Sequence, residues 1–153
     1  MKKAAGFSVI EVVITLAVGA IALTIAIPSY TNLVKGNRLT SHANMFVTAM
    51  TLARTEALRR QTIVTVEQLS GSWDNGWTVT SADETFVRKF PAQGTSVTFT
   101  SAGGAESFIY LANGRLSGAG DTIELCDDRT GEKGREITVS ATGRLSVEHI
   151  DCD

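Results

Sequence analysis

The sequence predicts an α+β fold: one long N-terminal helix, half membrane-like and half amphipathic, packed on antiparallel β-sheets. Three observations predict it. Val12 to Ile27 are apolar except for Thr15 and Thr24. Leu39, Ala43, Phe46, Met50, Ala53 and Ala57 then recur at 4-3-4-3-4 spacing, which places them on one helical face. After Gln61 the apolar period drops to two, and Gly, Asn, Asp and Ser gather between short runs.

The 153 residues suit one folded domain, preceded by segments of different character. Residues 1–6 are basic and polar, with Lys2 and Lys3 side by side. Residues 7–28 form the membrane half. Phe7 to Ile27 is long enough, at about 1.5 Å per residue, to cross a hydrocarbon core of about 30 Å. Lys2 and Lys3 hold the N-terminus on the cytoplasmic side and send the rest of the chain across. Pro28 ends or kinks this half, because it lacks an N–H and clashes with the preceding turn. Glu11 stands at the head of the run. On insertion scales a carboxylate at the centre of a membrane helix costs about 2.5–3.5 kcal/mol, so its presence requires a reason. A cleaved secretory signal ending at Ala20-Ile21-Ala22 and a plain signal anchor both leave Glu11 unexplained.

Residues 29–61 form the amphipathic half. Arg38, Arg54, Glu56, Arg59 and Arg60 lie mostly off the apolar stripe, and the basic residues of the last turn suit a helix C-terminus. Residues 62–153 read as eight strands: Ile63–Val66, Trp77–Thr80, Phe86–Phe90, Val97–Thr100, Ser107–Leu111, Thr122–Cys126, Glu136–Ser140 and Arg144–Val147. Asp74-Asn75-Gly76, Asn113-Gly114 and Thr142-Gly143 read as turns between them. Trp73 and Trp77 fit the gap between helix and sheet better than a ligand-stacking role.

Net charge is −2, and nine acids against four bases fall between Asp121 and Asp153. That balance gives no basic field for nonspecific nucleic-acid binding. His42 and His149 are the only histidines, and no G-x-S-x-G, P-loop or H-E-x-x-H pattern occurs, so no enzyme is expected. The run Asp121, Glu124, Asp127, Asp128, Glu132 lacks the spacing of a calcium loop and reads as a solvated acidic segment. No metal or cofactor is expected. Cys126 and Cys152 are the only cysteines. In an exported domain they would form a disulfide enclosing 25 residues, worth about 3 kcal/mol in the chain-entropy model. In a cytosolic one they would be two buried thiols.

Lys2-Lys3-Ala4-Ala5-Gly6, then Phe7-Ser8-Val9-Ile10-Glu11 and an apolar run ending at Ile27-Pro28, resembles the class III signal peptide of type IV pilins and type II secretion pseudopilins. The resemblance implies a leader of residues 1–6, cleavage between Gly6 and Phe7 by a prepilin peptidase, and N-methylation of Phe7. It gives Glu11 a purpose: pairing with the terminal amine of a neighbouring subunit during filament assembly. Asn37-Arg38-Leu39, Ala53-Arg54-Thr55-Glu56-Ala57, the stretch Gly71 to Trp77, and Gly143-Arg144-Leu145 followed by a C-terminal Cys resemble the GspH/FimT group of minor pseudopilins.

That group implies a pilin-like fold and a structural role, initiating or capping a type IV pilus or a type II secretion pseudopilus. The implied location is the inner membrane, single-pass, with the C-terminal domain in the periplasm and later in the filament. The implied partners are the peptidase, other minor pilins or pseudopilins, and inner-membrane lipid before assembly. The alternative is a DNA-binding minor pilin for transformation, which uses a Gly-Arg-x-Arg loop. Here Arg144 matches the first Arg but Ser146 replaces the second, and Glu148, Asp151 and Asp153 would repel phosphate. Arg135 could substitute only if the fold brings it alongside Arg144.

Overall fold

The computed structural model describes residues 6, 8–92, 94, 96–129, 131 and 133–152. A single helix, α1, runs Val9–Arg60. Eight strands follow: β1 Val64–Leu69, β2 Ser72–Ser81, β3 Val87–Pro91, β4 Val97–Ser101, β5 Ser107–Tyr110, β6 Gly120–Asp127, β7 Lys133–Ser140 and β8 Leu145–Asp151. The chain divides into two compact units, residues 1–37 and 38–153.

In the first unit α1 passes through Pro28 without ending, so Pro28 is no terminator. It still supplies no N–H, which leaves the Thr24 carbonyl without its helical donor. The hydroxyls of Thr15, Thr24 and Thr31 turn back onto the carbonyls of Val12 (2.8 Å), Ile21 (2.7 Å) and Pro28 (2.8 Å). Each of these hydroxyls is thereby satisfied within the helix, as an apolar surrounding demands.

In the second unit the strands form two antiparallel sheets. Sheet A has the order β3-β2-β1-β5 and sheet B the order β4-β6-β7-β8. The whole predicted stripe, Leu39, Ala43, Phe46, Met50, Ala53 and Ala57, is buried, together with Ala49. Phe46 sits at the centre. Its ring meets Trp73 edge-on at 5.4 Å and Trp77 at 5.3 Å. Both tryptophans are thus core side chains, and Trp73 Nε1 donates to the Ala105 carbonyl at 2.8 Å. Gln61, at φ 54°, takes the left-handed conformation that commonly stops a helix. Its Nε2 donates to the Leu58 carbonyl at 2.7 Å.

Asp74-Asn75-Gly76 is not the turn that its composition suggests. It lies inside β2, and the β1–β2 turn falls at Ser70-Gly71. The register jumps there: Leu69 pairs with Ser72 but Gln68 pairs with Trp77. Turn-forming residues therefore build a bulge. The bulge has a use, because Asp74 Oδ1 accepts the Phe99 N–H at 2.6 Å and joins β2 of sheet A to β4 of sheet B. Asn113-Gly114 and Thr142-Gly143 do form turns: Gly114 N–H reaches the Leu111 carbonyl and Gly143 N–H reaches the Ser140 carbonyl, both at 2.8 Å.

Candidate functional site

The N-terminal end of α1 carries the first group of candidate residues. Gly6 is exposed, and a Cβ added there would meet nothing within 4 Å. Phe7 and residues 1–5 lie outside the described residues. The Ser8 carbonyl accepts the Glu11 N–H at 3.1 Å and the Val12 N–H at 3.3 Å, which starts the helix at Val9. Glu11 is therefore in the first turn, where a carboxylate faces the positive end of the helix dipole. Its side chain is exposed and has no hydrogen bond or ion pair among the described residues. Beyond it the helix presents apolar side chains in every direction, from Val9 at 82% exposure to Leu33 at 61%.

The second group is the Gly-Arg turn between β7 and β8. The Gly143 carbonyl accepts Arg54 Nη1 of α1 at 2.9 Å. A Cβ at Gly143 would fall 2.4 Å from the Gly114 carbonyl oxygen and 3.0 Å from the Tyr110 ring, so only glycine fits. Arg54 had no assigned role in the sequence reading. Its position off the apolar stripe gave no hint that it reaches 89 residues ahead. Tyr110 is buried and its hydroxyl has no hydrogen-bond partner among the described residues. Burial pushes its phenol up to about 12, against the opposing charge of Arg54.

Arg144 is exposed on this turn. Arg135 is not beside it. Arg135 pairs with His149 across the β7–β8 ladder, whereas Ser140 faces Arg144. Five residues separate the two positions along β7, about 17 Å at about 3.3 Å per residue. Arg135 instead reaches α1, with Nη2 on Thr40 Oγ1 at 3.0 Å. The condition for Arg135 to stand in for the missing second Arg, a place alongside Arg144, is therefore not met.

Cys126 and Cys152 are joined, with Cα atoms 5.8 Å apart. The bond passes over Gly134 of β7, where a Cβ would sit 2.5 Å from Cys152 Sγ and 3.1 Å from Cys126 Sγ. The sequence reading gave Gly134 no role, since nothing in the chain order links it to either cysteine.

The acidic run disperses on folding. Asp121 accepts the N–H groups of Gly103 (2.7 Å), Ala105 (3.1 Å) and Thr122 (2.7 Å) and the Ser101 hydroxyl. Burial raises its pKa, but these hydrogen bonds outweigh burial and hold it below the ordinary range. Asp127 grips Arg129, with Oδ2 to Nη2 at 2.6 Å. Glu132 lies outside the described residues. Glu124 pairs across to Glu136, and Glu136 to Glu148. Ile123, Leu125 and Ile137 between them are buried, so the three glutamates form a row on the outer face of sheet B. Like charges directly opposite one another are destabilising, and this row keeps three.

The family model described as type II transport protein GspH matches residues 42–143. The prokaryotic N-terminal methylation motif matches residues 1–27. No curated protein sequence matches the chain. The type IV minor pilin FimU of Pseudomonas aeruginosa PAO1 is 22% identical, with a TM-score of 0.63 over 73% of this chain and 89% of that one. A second crystal form of FimU gives 21% identity and 0.59 over 71% and 91%. The minor pseudopilin EpsH from the type 2 secretion system of Vibrio cholerae gives 11% identity and 0.54 over 72% and 94%. At these identities the three structures establish the shared fold, a long helix on two antiparallel sheets. The GspH match covers most of the second unit and the methylation motif covers the apolar run, so the chain belongs to the type II transport protein GspH family and carries a pilin-type N-terminus.

Proposed function

We propose that this chain is a minor pilin or pseudopilin, a structural subunit that initiates or caps a type IV pilus or a type II secretion pseudopilus. The observation that carries the reading is the outward-facing apolar surface of α1 from Val9 to Leu33, headed by Glu11, which has no partner among the described residues. That surface needs an apolar surrounding, first lipid and then the helices of other subunits. Residues 1–6 are the leader, removed by a prepilin peptidase, and Phe7 is the methylated mature terminus. Residues 7–28 cross the inner membrane, with residues 29–61 and 62–153 on its periplasmic side. The protein works by assembly and catalyses no reaction.

Glu11 is the recognition charge. A new terminal amine and a carboxylate in a low-dielectric surrounding are each costly alone, and pairing between subunits recovers much of that cost. Glu11→Ala should leave membrane insertion and cleavage intact and abolish entry into filaments, measured by immunoblot of sheared filaments. Gly6→Val should retain Met1 in N-terminal mass spectrometry, because the added branch blocks backbone approach at the cut. A mature terminus at Ala22, or normal assembly of Glu11→Ala in a subunit crosslinked to neighbours on both sides, overturns the reading.

A further inference from the structure

The β7–β8 turn leans on α1 and leaves a groove of about 390 Å³ between them. Val47 and Leu58 of α1 and Leu145 of β8 supply apolar walls, and Leu58 is 43% exposed. Two arginines line the same groove, Arg54 from α1 and Arg144 from the turn, and no acid does among the described residues. Arg54 is half-buried and uses one N–H on the Gly143 carbonyl. Its other donors, and the whole guanidinium of Arg144, have no partner among the described residues. Glu56, two residues beyond Arg54, is already held by Arg59 and Arg60. The Tyr110 ring packs against Gly143, and its buried hydroxyl is a further donor in excess. A guanidinium offers five N–H groups and no acceptor. Half-buried without a counter-charge it is costly, and a second one beside it adds repulsion.

We infer that this groove receives an acidic segment of a different filament subunit, with one carboxylate on Arg54 and Arg144 and an adjoining apolar side chain against Val47, Leu58 and Leu145. The inference rests on the filament-subunit reading, in which a subunit that initiates or caps a filament stands beside others. A carboxylate matches the planar fork of a guanidinium with two oxygens. Protein suits the groove better than nucleic acid. Its aliphatic walls offer nothing to a phosphate backbone, and a chain of net charge −2 has no broad basic field to hold one. The bond from Arg54 to Gly143 fixes the turn against α1, so the groove stands formed before any partner arrives, which lowers the ordering cost of docking.

The test places a photocrosslinker in the groove, Thr55→p-benzoylphenylalanine, in the full chain within the membranes of the cells that produce it. Thr55 is exposed and lines the groove. Irradiation followed by mass spectrometry should return a peptide of a different pilin-like subunit, with an Asp or Glu beside an apolar residue. Arg144→Ala should lower the adduct by about tenfold. Neutralising the partner's acid to Asn or Gln should lower it as well, and the two changes together should cost less than their sum, as one shared contact requires. Circular dichroism checks that Arg144→Ala, at an exposed position, leaves the fold intact. Absence of an adduct, adducts only with copies of this chain, a captured peptide without an acid, or a yield unmoved by Arg144→Ala overturns the inference. So does retention of duplex DNA by the full chain in detergent micelles that Arg144→Ala abolishes, which would assign these arginines to phosphate. Failure of the filament reading is seen separately, in the Gly6 and Glu11 variants.

Discussion

The two units of this chain share one helix and use it in opposite ways. From Val9 to Leu33 the large apolar side chains of α1 point outward, whereas the apolar stripe from Leu39 to Ala57 is buried under two sheets. The same secondary structure therefore carries two kinds of stability. The second unit holds its own apolar partners. The first can bury its apolar surface only in a membrane or against other chains. Helix formation and self-sufficiency are thus separate properties, and side-chain distribution decides the second.

Substitution at the centre of each region should expose this difference. Phe46→Ala removes the ring that meets Trp73 and Trp77, and should cost about 3–5 kcal/mol in denaturant unfolding of the second unit. Leu16→Ala, at a position 68% exposed, should leave that same transition unchanged. A comparable loss from Leu16→Ala would break the distinction.

A smaller effect should follow from reducing Cys126–Cys152, or from Cys126→Ser with Cys152→Ser. Loss of about 3 kcal/mol is expected from the released loop, read as a lower denaturant midpoint with and without reductant. The first unit contains no cysteine, so its helical signal should be insensitive to reductant.

The smallest effect concerns Asp121. Its folded-state pKa is lowered, so the ionised form stabilises the fold above the unfolded value of about 3.9. That contribution disappears as pH falls through the lower folded value. Acid titration of unfolding should show wild-type stability declining below about pH 4, with a shallower decline for Asp121→Asn. An identical slope for the two proteins would show that the carboxylate's hydrogen bonds to Gly103, Ala105 and Thr122 contribute nothing through its charge.

The legible parts of the molecule were those governed by one period. The buried stripe of α1 follows 3.6-residue spacing, and every member proposed from spacing is buried. Eight strands follow from alternation and appear in the proposed order. Asp74-Asn75-Gly76 misled because turn residues also build bulges, and the deciding partner, the Phe99 N–H, lies on another strand. Arg54 on Gly143 and Gly134 beneath the disulfide were hidden for a related reason. Each depends on a tertiary approach between distant segments, and no local pattern records it. The N-terminal run was legible as a motif, and the methylation motif matches residues 1–27, because such a segment needs no tertiary contact to be recognised.

The strand order has a kinetic consequence. β4 comes between β3 and β5 in the chain but belongs to sheet B, while its neighbours on both sides belong to sheet A. Neither sheet is a continuous stretch of polypeptide. A break after Tyr110 would leave sheet A complete but strand β4, with Val97 and Phe99, away from the β6 on which it pairs. A break before β4 would deprive sheet A of β5. No fragment can hold one finished sheet without an orphan strand, so the two sheets should appear and disappear in a single cooperative transition. The many pairings between distant residues should also make that transition slow compared with the formation of the helix on which both sheets rest.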